Sequence, residues 1–220
     1  MTLKLYYAPG ACSFVPHAML EIAGATFEPM AIRLHKNEQR NPDYLALNAR
    51  GQVPVLVDGD AVITQLMAIV AYIDARFPEH AFVPKEPLAR ARFVEALAWM
   101  NNTVHPTFTH IFMPHKFSDD PAAQQSIRAQ ALTAYRQQLG ELQALVQQAH
   151  SAGRDWLGGV HCGPLDAYAL TLLRWGSMVD INPEDTPAMW AHAQRTAQVP
   201  GVARAMAREK LPLSMYQPGA

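Results

Sequence analysis

Alternation of apolar and polar positions is confined to the first third of the chain. Residues Leu3–Tyr7 alternate and end at Ala8-Pro9-Gly10, which predicts a strand followed by a turn. The helical spacing of apolar residues that follows predicts a helix beginning near Cys12 or Ser13, because Pro16 is tolerated only in a first turn. The other elements predicted here are the strands Phe27–Ile32, Val53–Val57 and Ala61–Ile63, a short irregular or helical turn Pro42–Ala46 and a helix Gln65–Arg76. This order predicts a compact α/β unit with a mixed four-stranded sheet.

The pattern changes after Phe77-Pro78. No alternating run follows, and apolar residues recur at spacings of three and four. Four helices are predicted: Leu88–Phe112 with Pro106 as a potential break, Ala122–Ala149, Pro164–Met178 and Ala188–Ala207. We therefore expect an α/β domain over 1–77, a proline-bearing linker over 78–87 and an all-α domain over 88–220.

Composition excludes several classes of protein. Half of the 220 residues are hydrophobic, which indicates a folded chain with a sizeable core. With 18 basic against 19 acidic side chains, no surplus of positive charge favours nucleic acid as a partner. The longest apolar stretch, Ala61–Ile73, is interrupted and too short to span a membrane. The start Met-Thr-Leu-Lys leads directly into a strand, so we expect no targeting segment.

Two cysteines, Cys12 and Cys162, lie far apart, which is neither a disulfide framework nor a paired motif and favours a reducing, cytoplasmic setting. Cys12 lies at the predicted start of a helix, where free N–H groups and the helix dipole favour a thiolate. Val15 occupies the position where a Cys-x-x-Cys motif needs its second sulfur, which argues against an internal dithiol cycle. The alternative is that Cys12 is a small buried apolar residue.

Pro54 lies inside an otherwise good strand, although proline cannot donate to a sheet ladder. One interpretation is an edge strand. The other is a cis peptide bond, which would turn the backbone groups of Val53 away from the sheet and leave them free to pair with an extended ligand.

Taken together, the segments 5–13, 48–56 and 64–73 resemble the glutathione S-transferase family, and Pro9-Gly10-Ala11-Cys12-Ser13 resembles its bacterial beta class. The resemblance covers essentially the full chain. It implies a thioredoxin-like N-terminal domain, a cis Pro54, a Val53 backbone that binds the cysteinyl part of glutathione, and a Cys12 that contacts the ligand's sulfur.

Two ligand-binding positions depart from the family pattern. The family typically has Glu-Ser where this chain has Gln65-Leu66. Gln65 lacks a carboxylate for the ligand's ammonium, and Leu66 has only its backbone N–H to offer, which would cost on the order of 1–3 kcal/mol of binding. Lys36 is the expected partner of the glycyl carboxylate, with His35 as its competitor.

In the helical domain the resemblance implies that His105 approaches the thiol and that Asn101 helps to bind the ligand. Pro106 replaces the lysine that commonly follows this histidine, and Asn101 lies closer to His105 than in the family, so the two need not both keep their family roles. The alternative for His105 is a surface or interface histidine. Asp166 is expected to have a structural role, accepting hydrogen bonds from amides of the preceding loop.

Metal binding is not expected. His105, His110 and His115 are five residues apart, so they would point to different faces of a helix. His161-Cys162 has no second ligand pair nearby, which is typical of a loop beside a packed thiol.

The resemblance implies an enzyme that adds the glutathione thiolate to small hydrophobic electrophiles, with thiol–disulfide exchange or peroxide reduction through Cys12 as further reactions. Phe14, His105 and Phe112 would line the apolar cleft for the second substrate. A homodimer is also implied. The alternative, motivated by Gln65-Leu66, is a non-catalytic protein that binds ligands or a partner.

Overall fold

Four strands form one mixed sheet, as predicted, and their order in it is β2-β1-β3-β4. The computed structural model describes residues 2–217, so the outermost ends of the two predicted domains, Met1 and 218–220, lie outside it. β1 (Leu3–Tyr7) pairs in parallel with β2 (Phe27–Ala31) and antiparallel with β3 (Val55–Asp58). β3 pairs antiparallel with β4 (Ala61–Thr64) across the two-residue turn Gly59-Asp60.

The third strand is shorter than predicted at its start. Val53 and Pro54 precede β3, because a proline has no N–H with which to join the ladder. The neighbouring helix is also shorter by one residue. α3 (Leu66–Arg76) begins after Gln65, whose φ of 72° is incompatible with a right-handed helix.

The helix α1 (Phe14–Ile22) lies between the sheet domain and the helical domain. It packs against α3 and against two helices of the C-terminal part, and its residues from Phe14 to Glu21 are buried. A short helix, α2 (Pro42–Leu47), lies before β3. Because α1 is covered on all sides, its N-terminal end and the turn before it are held by both parts of the chain.

The first long helix predicted in the C-terminal part is interrupted. α4 (Pro87–Trp99) runs into a single wide π turn over Met100–Val104, which continues directly into α5 (His105–Phe112). The ring of Pro106 would clash with the carbonyl four residues earlier in a regular helix, and the π turn opens the backbone at that place.

The remaining helices are α6 (Pro121–Ser151), α7 (Pro164–Ser177), α8 (Pro187–Gln198) and α9 (Pro200–Glu209). The predicted single helix Ala188–Ala207 is therefore wrong. Val199 is extended (φ −62°, ψ 125°) because the residue before a proline is kept out of the helical region by the ring of Pro200.

α7 is the centre of the helical part, since each of its residues from Pro164 to Ser177 is buried. Among the described helices, none combines the length and the apolar character required to cross a membrane.

Candidate functional site

The turn that carries Cys12 is closed by its own side chains. The Ser13 Oγ accepts a hydrogen bond from the Ala8 N–H (3.0 Å) and donates to the Ala8 carbonyl (3.2 Å). Gly10 has a φ of 74°, a left-handed conformation that favours glycine, and a Cβ there would lie 2.8 Å from Arg174 Nη1. The turn thus places Cys12 two residues before the first residue of α1, so the helix begins one residue after the predicted start near Cys12 or Ser13.

The thiol of Cys12 faces Val53. Its Sγ lies 3.9 Å from the Val53 carbonyl oxygen, and the thiol is free. The peptide bond between Val53 and Pro54 is cis, as the resemblance implies. The loop before it is fixed by the Tyr44 hydroxyl and the Asn48 amide, which both donate to the Gln52 carbonyl, at 2.8 and 2.7 Å.

The expected lowering of the Cys12 pKa is wrong for the free protein. Burial raises the pKa of this thiol to about 12, and the N–H groups of Cys12 and Ser13 only partly counteract it. Desolvation of the thiolate outweighs the helix N-terminus here, because the side chain is only 8% exposed. Cys12 is therefore a protonated donor at neutral pH.

Gln65 lies at the start of α3 with an exposed side chain in a strained backbone conformation, φ 72° and ψ 125°. Leu66 is buried at 4% exposure and packs in the core, so its backbone N–H at the helix start is its polar contribution. His35 and Lys36 are both exposed in the turn Leu34–Lys36 after β2. The choice between them stays a prediction.

The helical part contributes a row of polar side chains. The His105 Nδ1 lies 3.0 Å from the Tyr168 hydroxyl, and that hydroxyl donates to the Asn101 Oδ1 at 3.3 Å. The π turn and α5 therefore bring Asn101 and His105 to the same tyrosine on α7, despite their short spacing. His105 is part-buried, which contradicts the surface alternative.

The charge states of this row follow from burial. Burial lowers the pKa of His105 to about 4, so its ring is neutral at pH 7. Burial also raises the pKa of Tyr168 well above its usual value, and the neighbouring Cys12 raises it further. His105 and Tyr168 are therefore both uncharged at neutral pH.

Two residues that the sequence analysis missed hold the Cys12 turn from the helical side. Trp175 donates its indole N–H to the Gly10 carbonyl at 2.7 Å, and the Gly10 N–H donates to the Glu209 Oε2 at 2.8 Å. The other Glu209 oxygen is 2.7 Å from the Nδ1 of His17, and both side chains are fully buried. No local pattern connects positions so distant along the chain.

Aromatic rings form a wall beside His105. Trp175 packs edge-on against His105 at 4.7 Å between ring centroids and stacks on Phe108 at 4.8 Å, and Phe108 stacks on Phe112. Phe112 is 49% exposed and presents an apolar face. The expectation for Phe14 is wrong, since at 1% exposure it packs in the core, which the helix α1 needs on that face.

Asp166 has the predicted structural role. It accepts from the N–H groups of Leu157 and Gly163, both at 2.9 Å, and contacts the His192 Nε2 at 2.9 Å. Cys162 is buried in the core, as expected for a packed thiol. Within residues 2–217, no three His, Cys, Asp or Glu side chains are grouped so that they would hold a metal ion.

Comparisons with known proteins agree with this architecture. Residues 1–75 match the glutathione S-transferase N-terminal domain. The chain is 32% identical over 215 residues to glutathione S-transferase GstA of Escherichia coli O157:H7, covering 95% of this chain and 100% of the relative. It is also 32% identical over 211 residues to glutathione S-transferase GST-4.5 of Xanthomonas campestris, again covering 95% and 100%.

Solved structures are similar over nearly the whole chain. The glutathione S-transferase of Xylella fastidiosa superposes with a TM-score of 0.85 at 30% identity and covers 96% of this chain and 100% of its own. A sphingomonad glutathione S-transferase complexed with glutathione superposes with a TM-score of 0.80 at 31% identity, covering 95% and 100%.

The chain combines a thioredoxin-like sheet domain with a helical domain, and a thiol-bearing turn lies between them. This combination defines the class of transferases that bind a thiol ligand. The chain belongs to the glutathione S-transferase family. Within the family it is similar to bacterial beta-class members such as that of Sphingomonas chungbukensis, with a TM-score of 0.80 at 29% identity over 95% of this chain and 100% of that one. The non-catalytic alternative is not favoured by these relatives, which are named as transferases.

Proposed function

We propose that this protein adds the thiolate of glutathione to small hydrophobic electrophiles, with Cys12 and His105 as its catalytic residues. The observation that carries the proposal is that Trp175 packs against His105 and donates to the Gly10 carbonyl. It thereby joins the His105–Tyr168–Asn101 row to the turn whose Cys12 thiol faces the Val53 carbonyl. Relatives of this fold have been solved with glutathione bound.

In this proposal the backbone of Val53 pairs with the cysteinyl part of glutathione, next to the cis Pro54. Gln65 and the N–H of Leu66 bind the γ-glutamyl end, and Lys36 binds the glycyl carboxylate. Asn101 completes the site from the helical side. Each contact uses a hydrogen-bonding group that the ligand's peptide or carboxylate requires.

Cys12 acts as a hydrogen-bond donor in the conjugation step. Because its pKa is raised to about 12, its S–H is intact at neutral pH and is available to the ligand's sulfur. His105 accepts the proton of the glutathione thiol, the S–H bond breaks and the sulfur keeps the electron pair. That thiolate then forms the bond to the electrophilic carbon, whose leaving group departs with its own electrons, against the aromatic wall that ends at Phe112.

Thiol–disulfide exchange is a second reaction of the same site. A Cys12 thiolate, once His105 has accepted its proton, attacks the glutathionyl sulfur of a mixed disulfide and releases the other thiolate. A second glutathione thiolate then attacks the Cys12-bound sulfur, which gives glutathione disulfide and restores Cys12. For a peroxide, the Cys12 thiolate would attack one peroxide oxygen, which breaks the O–O bond, releases an alcohol and leaves a sulfenic acid on Cys12. One glutathione thiol would convert the sulfenic acid to a mixed disulfide with loss of water, and a second would release glutathione disulfide and restore Cys12.

Cys12→Ala and Cys12→Ser test the assignment. We expect Cys12→Ala to lose about 10- to 100-fold in kcat/KM for an aryl halide, because a hydrogen bond to a charged partner contributes about 1.5–3 kcal/mol. Cys12→Ser should recover part of this loss but none of the disulfide exchange. Cys162→Ala is the matched control and should leave both activities unchanged, since its buried thiol lies beside Phe82 and Trp156 in a pocket that no residue of the Cys12 turn lines.

Unchanged turnover of both substrates in Cys12→Ala would show that Cys12 has no catalytic role. Calorimetric titration provides a separate check of the ligand. No heat with millimolar glutathione would contradict the proposed function as a whole.

We also propose a homodimer in which the N-terminal part of one chain packs against the helical part of the other. Its support is exposed apolar surface on the sheet edge and on α4, where Val62, Leu88 and Val94 are 42%, 64% and 41% exposed. Sedimentation should give twice the chain mass of 24.3 kDa, whereas a single-chain mass at micromolar concentration would contradict the dimer. Two free cysteines favour a reducing, cytoplasmic setting, and we propose detoxification of electrophiles as the use of the reaction there.

A further inference from the structure

The hydrogen bonds around Tyr168 run in one direction. The Asn101 amide nitrogen donates to the Asn102 Oδ1 at 2.8 Å, so the Oδ1 of Asn101 is the atom that faces Tyr168. A tyrosine has one O–H, and here it is donated to Asn101. The Nδ1 of His105, 3.0 Å from the same phenolic oxygen, must then donate its own proton to it.

His105 has one proton to place between its two ring nitrogens. Its ring is neutral because burial lowers the pKa to about 4. With the proton on Nδ1, the Nε2 carries a lone pair and is free to accept. Trp175 packs edge-on against the ring and donates to the Gly10 carbonyl, so one side chain supports both His105 and the Cys12 turn.

We propose that Tyr168 and Asn101 are positioning residues that hold His105 as its Nδ1–H tautomer and so leave Nε2 as the acceptor of a thiol proton. The proposal rests on the function proposed above. When Nε2 takes the proton, the S–H bond breaks, an N–H bond forms and the sulfur keeps the electron pair. Nδ1–H continues to donate to Tyr168, whose own proton stays directed at Asn101, so the new imidazolium is stabilised without a further proton transfer.

If the role of Tyr168 were purely structural, removing its hydroxyl would leave the tautomer of His105 unchanged. Tyr135 is the matched control for this distinction. Both tyrosines are fully buried, and the Tyr135 hydroxyl also makes one hydrogen bond, donated to the Leu172 carbonyl at 2.7 Å. Removing either hydroxyl therefore leaves a comparable gap in the core. Only Tyr168→Phe removes the acceptor of His105.

The test is the tautomer of His105, read from the nitrogen shifts of the imidazole ring in 15N-labelled protein at pH 7 without glutathione. The chain has nine histidines, and the signals of His105 are those lost in His105→Gln. In the wild type we expect a protonated Nδ1 and an unprotonated Nε2. Tyr168→Phe should give a mixture of tautomers and a kcat/KM lower by about 10- to 100-fold, mainly through kcat.

Asn101→Leu is a second variant, which keeps the packing of Tyr168 and serves if Tyr168→Phe fails to fold. Without its acceptor, the Tyr168 proton turns to His105 Nδ1, so the ring should convert to the Nε2–H tautomer. Tyr135→Phe should leave both the nitrogen shifts and the pH profile of kcat/KM unchanged.

An Nε2–H tautomer in the wild type would overturn the proposal, as would nitrogen shifts that are the same in Tyr168→Phe, Asn101→Leu and the wild type. Because the tautomer is measured without substrate, either result refutes the positioning role even if Cys12→Ala has lost its turnover. Conversely, full turnover in Cys12→Ala contradicts the function of the site and leaves the tautomer measurement valid.

Discussion

Glu209, the last residue of α9, contacts the Cys12 turn although it lies far from it along the chain. Of the residues distant in sequence, it is the one whose loss should loosen that turn most. Its carboxylate accepts the Gly10 N–H at 2.8 Å and contacts the His17 Nδ1 at 2.7 Å, with both side chains fully buried. Glu209→Ala leaves two buried donors without an acceptor. At about 1–3 kcal/mol for each unsatisfied group, the free energy of unfolding should fall by about 2–6 kcal/mol.

The assay is urea unfolding at one fixed protein concentration, because a dimer makes the midpoint depend on concentration. The same variant should make Cys12 react faster with a thiol reagent, since the Gly10 peptide loses the group that anchors its N–H. Glu209→Gln keeps one oxygen acceptor and should lose less stability. Glu95→Ala, which removes an exposed partner of Arg92, is the control and should change little.

An unfolding free energy of Glu209→Ala within about 1 kcal/mol of the wild type would refute this reasoning. It would mean that the Gly10 and His17 donors find other acceptors, and that α9 does not hold the turn.

Three further predictions follow from single residues. Burial lowers the pKa of His105 to about 4 from 6.5, so the stability that depends on its neutral ring is complete above pH 6.5 and is lost as the pH falls to 4. This contribution to the free energy of unfolding is about 3 kcal/mol, and His105→Gln should flatten the curve of stability against pH over this range. Gln65→Glu restores a carboxylate for the ligand's ammonium and should tighten glutathione binding by about tenfold in calorimetry, whereas Gln147→Glu on the exposed face of α6 should not change it. Gly140→Ala, in the middle of α6 with open space at the new Cβ, should raise the unfolding free energy by about 0.5–1 kcal/mol. Gly201→Ala on α9 should lower it by about 1–3 kcal/mol, because its Cβ would lie 2.6 Å from the Ile22 backbone. Equal effects of the two substitutions in thermal unfolding would contradict the close packing of α9 on α1.

Local sequence patterns predicted the elements with errors that have local causes. The four strands, their mixed sheet and the helix after Cys12 follow from alternation, helical spacing and turn residues over a few positions. The errors at Pro54, Gln65, Pro106 and Pro200 involve backbone chemistry, where a missing N–H or a strained φ overrides the side-chain pattern.

The sequence by itself determined where Cys12 would lie, at a strand-to-helix turn opposite Val53, because that placement depends on the order of short elements and on a resemblance carried by their motifs. The tertiary structure decided the chemistry of the thiol. Whether a cysteine at a helix start is ionised depends on how deeply packing buries it, and burial raises the Cys12 pKa to about 12. It also decided the partners of His105 and Gly10. Tyr168, Trp175 and Glu209 are far from them along the chain, and helical periodicity specifies which face of a helix is buried but not which side chain it meets.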